Sequence, residues 1–337
     1  MRKLFFGMMA LVAFVATSCQ QDVDLDVQVG ETATVAFNLA TPQIANRADF
    51  SDGTTATQLQ YAVYDATGNY LKDLTVKNAE IHGSTTVSLT LTTGNTYSVI
   101  FWAAAEGAPY TVDFEQKTMT VDYTEAVSNA ENRDAFYKHH TFKVTGAQTE
   151  TIELKRPFAQ LNIGTADYAA STDAGYTPTQ SAVTVKNIYK KLDLVEGKVS
   201  ESVEVAFAAA DIKKDEIFPV AGNEYLAMNY LLVDKEVVDV EFTYTDGSNA
   251  KTRTVGSVPV QRNHRTNLYG QLLTSDVEIN VEIKPGFDGE DNVEAPKVVT
   301  VASADEFSTA LADPTVGEIT INEDFDFEGF TFSTPTT

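Results

Sequence analysis

Glu31-Thr32-Ala33-Thr34-Val35-Ala36-Phe37-Asn38-Leu39 alternates without a break. Ala33, Val35, Phe37 and Leu39 fall on one side, and Thr32, Thr34, Ala36 and Asn38 on the other. A period of two marks a half-buried strand, because successive side chains leave a pleated backbone on opposite faces. Leu59 to Tyr64 repeats the pattern, and a turn at Asp65-Ala66-Thr67-Gly68-Asn69 leads into Tyr70 to Val76. Thr85 to Leu91 and Thr96 to Ala103 flank Thr93-Gly94-Asn95 and predict a hairpin. Lys143 to Val144 and Thr149 to Leu154 read as a further pair around Gly146. Asn132 to His140 is the best candidate for a short helix or helical turn in this half.

Farther along, Ala159 to Ile163, Ala182 to Leu192, Val203 to Ala208, Tyr225 to Leu232 and Val237 to Thr245 read as strands. Asp246-Gly247-Ser248 turns the last into Lys251 to Val258, and Asn267 to Thr274 and Val277 to Ile283 close the series. Short strands at this spacing, with Gly, Asn and Asp between them, predict an all-β chain of antiparallel sandwiches. About 255 residues of such pattern exceed what one modest sandwich needs, so two are expected in tandem. The join is placed near Leu154-Lys155-Arg156-Pro157, dividing the chain into an N-terminal sandwich over 31–154 and a C-terminal one over 155–285.

Residues 286–297 read as a polar linker, and the pattern then changes over 298–337. Ser303 with Glu306 forms a capping box ahead of an apolar stripe of Phe307, Ala310 and Leu311. Gly317 to Ile321 reads as a strand, with Phe325, Phe327 and Phe330 close behind. This short α/β appendage resembles the opening helix and first rung of a parallel β-helix. One rung cannot bury its own face, so it must pack on the second sandwich or on a partner, or continue into further rungs.

The N-terminus is a processing signal rather than structure. Met1-Arg2-Lys3 is positive, Leu4 to Ala16 is apolar and uncharged, and Thr17 and Ser18 are small. Ala16-Thr17-Ser18-Cys19 resembles a lipobox, although Leu is more usual where Ala16 stands. Residues 1–18 are thus expected to be a cleaved signal peptide. Cys19, the only cysteine, is expected to carry the lipid that anchors the protein to a membrane. Residues 19–30 form an acidic tether, and a calcium-loop reading of its Asp22, Asp24 and Asp26 fails because the sixth loop position is not Gly and the twelfth is not Glu. Cleavage takes Arg2 and Lys3 and no acid, which moves the formal charge from -24 to -26. A chain this acidic repels nucleic acid and anionic lipid. With one cysteine no intrachain disulfide forms, so stability must come from apolar cores.

Four stretches together resemble the fimbrillin family, the subunits and accessory proteins of type V pili in Bacteroidota, and within it a group whose domain has no assigned function. They are Ile100-Phe101-Trp102-Ala103, Arg133-Asp134-Ala135-Phe136-Tyr137, Lys155-Arg156-Pro157-Phe158-Ala159-Gln160-Leu161-Asn162-Ile163, and Val258 to Gly270 with its Gln261-Arg262-Asn263-His264-Arg265-Thr266-Asn267 centre. The likeness covers residues 31 to 285. It implies two transthyretin-like β-sandwiches, a place on the outer membrane facing outward, and assembly with other fimbrial subunits or copies of the chain. It also implies that an Arg-specific protease cuts after the first strand, so that a strand from another subunit fills the groove. Arg47 follows the strand that carries Val35, Phe37 and Leu39, and is where that cut would fall. The acidic run after Cys19 is similar to the one that directs lipoproteins of these bacteria to the outer face.

Catalytic chemistry is not legible. His82, His139, His140 and His264 show no metal-ligand spacing, and no Gly-x-Ser-x-Gly or phosphate-cradling loop occurs. No cofactor is implied. Trp102 lies in an apolar run and reads as core. Arg156 and the Arg262 to Arg265 segment are basic islands, read either as ion pairs at the domain junction or as a docking patch for acidic partners. Three functions remain: a surface fimbrillin-like subunit or adhesin with a host or bacterial ligand, a glycan-binding or nutrient-uptake lipoprotein on the same scaffold, and an enzyme whose activity lies in a longer β-helix.

Overall fold

The computed structural model describes residues 30–42, 50–214, 216–274, 279–280, 290–294, 297–313 and 316–321. Cys19, Arg47, residues 286–289 and 295–296 of the expected linker, and Phe325, Phe327 and Phe330 lie outside the described residues. The first half holds β1 (Thr32–Ala40), β2 (Gln58–Asp65), β3 (Tyr70–Glu80), β4 (Ser84–Thr92), β5 (Thr96–Ala104), β6 (Tyr110–Asp113), β7 (Thr118–Val121), β8 (Ala135–Lys143) and β9 (Gln148–Glu153). One sheet has the order β4-β1-β9 and faces a second of order β3-β2-β5-β8. Between them Val35, Phe37, Leu39, Val63, Val99, Phe101, Phe136 and Ile152 form a closed apolar core.

The alternating stretches thus fold as their patterns demand, and the Gly94 turn joins β4 to β5. Two local expectations do not hold. Asn132 to His140 is not helical: a short 3₁₀ turn at Glu131–Arg133 gives way to β8, which pairs with β5 from Ala104↔Ala135 to Thr96↔Lys143. Phe136 and Phe142 recur on one face, so strand pairing buries both rings where a helix would separate them. Nor do the strands around Gly146 pair with each other. After β8 the chain crosses to the opposite sheet, where β9 lies parallel to β1 from Val35↔Gln148 to Ala40↔Glu153. A parallel pair needs a long crossover, and here β2 to β8 are that crossover.

The second half holds β10 (Phe158–Thr165), α1 (Tyr168–Asp173), β11 (Gln180–Asp193), β12 (Val199–Asp211), β13 (Glu224–Leu232), β14 (Lys235–Thr245), β15 (Ala250–Gln261), β16 (Arg265–Tyr269), β17 (Ile279–Asn280) and β18 (Glu290–Glu294). A sheet of order β13-β10-β16-β18 faces β15-β14-β11, with β12 on the far side of β11 and β17 beside β15. Leu161, Ile163, Val183, Val185, Phe207, Leu231, Val240, Phe242 and Leu268 fill the space between. As in the first half, β16 returns parallel to β10 after the opposing sheet has been built.

A third core joins the halves. Ala62, Tyr64, Ile100 and Trp102 leave the outer face of the β2–β5 sheet and meet Phe158, Met228, Tyr230 and Leu232 from β10 and β13. The hairpin β6–β7 closes it with Phe114, Met119 and Val121. This hairpin precedes the residues at the expected join, yet β7 pairs with the far end of β11, Thr120↔Lys191 to Thr118↔Asp193. Trp102 is core, 1 % exposed.

The appendage is a β-α-β unit of β19 (Lys297–Val301), α2 (Ala304–Ala312) and β20 (Val316–Ile321), the strands parallel. Ser303 Oγ accepts from the Glu306 N–H at 3.3 Å, and Glu306 Oε2 accepts from the Ala302 N–H at 2.9 Å, a capping box displaced by one residue. Of the expected stripe Ala310 is buried, whereas Leu311 is 55 % exposed.

Because the third core takes side chains from both sandwiches, the halves are expected to unfold in one transition. Trp102→Ala empties an aromatic site in it and should cost about 3–5 kcal/mol, and it should separate the single denaturant transition into two. Two transitions already present in the unaltered protein would contradict a welded junction.

Candidate functional site

Two places combine burial with chemistry: the slot that β1 occupies and the junction beside the third core. β1 is the middle strand of its sheet, paired antiparallel with β4 over Thr32↔Thr92 to Ala40↔Ser84 and parallel with β9. Val35, Phe37 and Leu39 are at most 1 % exposed. The Phe37 ring lies 5.5 Å from Phe101 and 5.0 Å from Phe142, at steep angles that bring ring edges onto faces. All three residues singled out for a strand-exchange groove are therefore brought together on one buried face. Just past β1, the Thr41 N–H donates to the Gly83 carbonyl at 2.9 Å.

At the junction, the stretches that carried the family resemblance meet. Arg156 follows β9 and is buried. Its Nε and Nη2 each donate to one carboxylate oxygen of Asp134 at 2.7 Å, and Nη2 also donates to the Ser51 carbonyl at 2.7 Å. The guanidinium lies 4.5 Å above the Phe136 ring. Asp134 is fully buried. This two-pronged geometry is the strongest side-chain ion pair, and the low dielectric makes an unpaired partner costly. Arg133, next in sequence, points elsewhere: it donates to the Asp122 carbonyl and lies 5.7 Å over Tyr123.

The Lys155 to Ile163 and Val258 to Gly270 stretches pair as β10 and β16. Asn263 Oδ1 accepts from the Arg156 N–H at 3.3 Å, Arg265 Nε donates to Gln160 Oε1 at 3.1 Å, and Asn162 Nδ2 donates to Asn267 Oδ1 at 2.8 Å. These four side chains of β10 and β16 are buried, so the basic islands at Arg156 and Arg265 are structural. Gly164 follows at a register shift within β10, where a Cβ would come 2.5 Å from the Phe218 ring.

Sequence reasoning missed the remainder of the network. Glu131 Oε1 and Oε2 each accept from the Ser51 N–H at 3.1 Å, and Tyr230 donates to Oε1 at 3.0 Å. Ser51 Oγ and Tyr230 share a hydrogen bond at 2.6 Å. Burial first, and then the Asp134 carboxylate, push the Glu131 carboxyl up to about 7. Glu131 stands among acids and amides in a polar stretch, so no local pattern marks it. His139 and His140 leave opposite faces of β8, with His140 stacked on Phe142 at 5.9 Å. Among the described residues no group of three or more His, Cys, Asp or Glu side chains is placed to hold a metal.

Raising the Glu131 carboxyl in the folded state gives its linkage a definite sign. Folding takes up a proton between the ordinary carboxyl range and about 7, so this contribution is fully present at low pH and is lost as pH rises through that window. Glu131→Gln should flatten the fall in stability between pH 5 and 8, by at most about 3 kcal/mol, in denaturant midpoints taken across that range. A pH profile that the substitution leaves unaltered would show Glu131 ionised throughout.

Several solved structures are similar to the chain. A candidate adhesin from Bacteroides ovatus matches at a TM-score of 0.44 with 9% identity, covering 77% of this chain and 91% of that one. A fimbrial assembly protein from Parabacteroides distasonis matches at 0.40 with 13% identity, covering 73% and 93%. The fimbrial anchor protein Mfa2 from Porphyromonas gingivalis matches at 0.40 with 8% identity, covering 77% and 95%. No curated protein matches the chain. One family model spans nearly all of it, from the acidic tether through the β-α-β appendage at residues 23–335, and the chain therefore belongs to the family of unknown function DUF6562.

Proposed function

We propose that this protein is a cell-surface, lipid-anchored fimbrillin-like subunit or adhesin that assembles by β-strand exchange and works by contact rather than by turnover. The observation that carries this reading is the position of β1. It is the central strand of a three-stranded sheet, with Val35, Phe37 and Leu39 driven into the core from one face. Its loss would strip β4 and β9 of a shared partner and open an apolar groove lined by Phe101, Phe142 and Ile152. Each apolar side chain returned to that groove stabilises it by roughly 1.5–3 kcal/mol, and a donor strand would also restore two ladders of backbone hydrogen bonds. Register follows from the pleat, since a slip by one residue would turn all three side chains to solvent.

Arg47 lies in sequence between Pro42, two residues past the end of β1, and Phe50. A cut there would leave β1 joined to the rest by non-covalent contacts alone. The signal at residues 1–18 would direct export and be removed, and the lipid on Cys19 would hold the protein at the outer membrane before that cut.

Mild Arg-specific digestion of the purified chain should cleave at Arg47 and produce oligomer ladders that survive SDS without boiling, while Arg47→Gln should give neither. Cleaved protein that stays monomeric or unfolds would remove the strand-exchange reading. Separately, cells fed an alkyne-tagged fatty acid should label the protein through Cys19, with Cys19→Ala abolishing both the label and membrane retention. Persistent membrane retention of Cys19→Ala would refute the lipid anchor.

A further inference from the structure

Where β8, the Lys155–Arg156 crossing, the turn after β11 and the turn before β16 come together, the surface opens into a cleft of about 370 Å³. Lys138, Lys155 and Arg262 stand on its walls beside His139, and Glu196 is the one carboxylate among the lining residues. The chain as a whole carries 48 acidic against 24 basic residues, so the local sign is the reverse of the global one. Arg156, also at the wall, is committed to Asp134. Lys138 and Lys155 are exposed and have no carboxylate within ion-pair distance among the described residues.

Arg262 is fixed in place: its Nε donates to the Val233 carbonyl at 3.3 Å, and Nη2 stands 3.7 Å from Asp234. Gly197, with φ of +71°, makes room for it, since a Cβ there would come 3.0 Å from Arg262 Nη1 and 3.5 Å from the Tyr137 hydroxyl. Asn263 spends its amide oxygen on the Arg156 N–H, which leaves its NH₂ as a donor at the wall. Val195, 41 % exposed, and the Tyr137 ring supply apolar surface. His139 is held below the ordinary imidazole range, first by burial and then by the Lys117 cation.

We infer that this cleft binds a carboxylated sugar of the hexuronate class. Its volume lies near the lower end of the range for small-ligand sites, of order 300–1,000 Å³, and suits one or two sugar rings. The carboxylate of such a ring answers Lys155, which stands directly across from Tyr137, while Lys138 leaves the other face of β8 and reaches only the rim. Its hydroxyls can accept from Asn263 and donate to Glu196, and its C–H face lies on Tyr137 and Val195. Glu196 and Asp234 oppose a doubly charged phosphate, and the net charge of the chain opposes a polyanion such as nucleic acid. The inference does not depend on strand exchange and fails or stands separately from it.

Calorimetric titration of the full, uncut chain with galacturonate, galactose and acetate tests it. Galacturonate should bind while galactose and acetate at the same concentration do not. Lys155→Gln should weaken binding about fivefold or more and Lys138→Gln, at the rim, by less, with Lys186→Gln, remote from the cleft, as the unaffected control. Thermal melts of all three variants confirm folding, which exposed lysines on strand and crossing surfaces should not disturb. Absence of heat with galacturonate, equal binding of galactose or of acetate, or undiminished binding by both cleft variants would each overturn the assignment.

Discussion

The architecture depends on one buried ion pair. Arg156 and Asp134 lie 22 positions apart in sequence, both effectively without solvent, and each satisfies the other with two hydrogen bonds. Removing a guanidinium and a carboxylate from water costs nearly as much as their attraction returns, so the pair adds little net stability. What it does is make every other arrangement of the junction costly. Asp134 leads into β8 of the first sandwich and Arg156 leads into β10 of the second. Any relative slip of the two would strand a buried charge. The Ser51 carbonyl and Asn263 amide add a segment from each half to the same arginine.

Because the two sandwiches meet face to face, two strands in each half are apolar at consecutive positions, and the alternation expected through Tyr64 breaks down after Tyr61. Tyr61-Ala62-Val63-Tyr64 and Ile100-Phe101-Trp102-Ala103 are apolar at consecutive positions because both faces of β2 and β5 are covered. Val63, Val99 and Phe101 face the first core, and Ala62, Tyr64, Ile100 and Trp102 face the junction. β10 and β13 are buried along nearly their whole length for the same reason. Continuous burial on both faces is ordinary in the centre of layered sheets. Here it marks which sheet of each sandwich looks toward the other.

The fold class was legible because period-two alternation is a local property, readable within nine residues at Thr32 to Ala40 and again at Ser84 to Thr92. Pairing partners were not. Whether β9 returns to β8 or crosses to β1 depends on contacts more than a hundred residues apart, and Gly146 permits either. The β6–β7 hairpin has four residues per strand and reveals nothing of its attachment to β11 until the fold brings them together. Asn132 to His140 reads in isolation as the best helix candidate of its half, and only pairing with β5 makes it a strand. The junction was half visible: Arg156 and Arg265 stand out as bases in an acidic chain. Glu131, Ser51 and Tyr230 carry no such contrast, and only packing assembles them.

The separation of the cores bears on strand exchange. β1 belongs to the sheet whose side chains enter the first core alone. The junction core takes its members from the opposite face of the facing sheet, two layers away. Loss of β1 would thus strip the first core of Val35, Phe37 and Leu39 while the Arg156–Asp134 pair, the Trp102 cluster and the β10–β16 ladder kept all their partners. A protein in which the exchanged strand also supported the junction would lose its second sandwich's orientation whenever the strand left. Here the groove can stand open on a framework that the other two cores continue to hold, which is the mechanical condition that a donated strand requires.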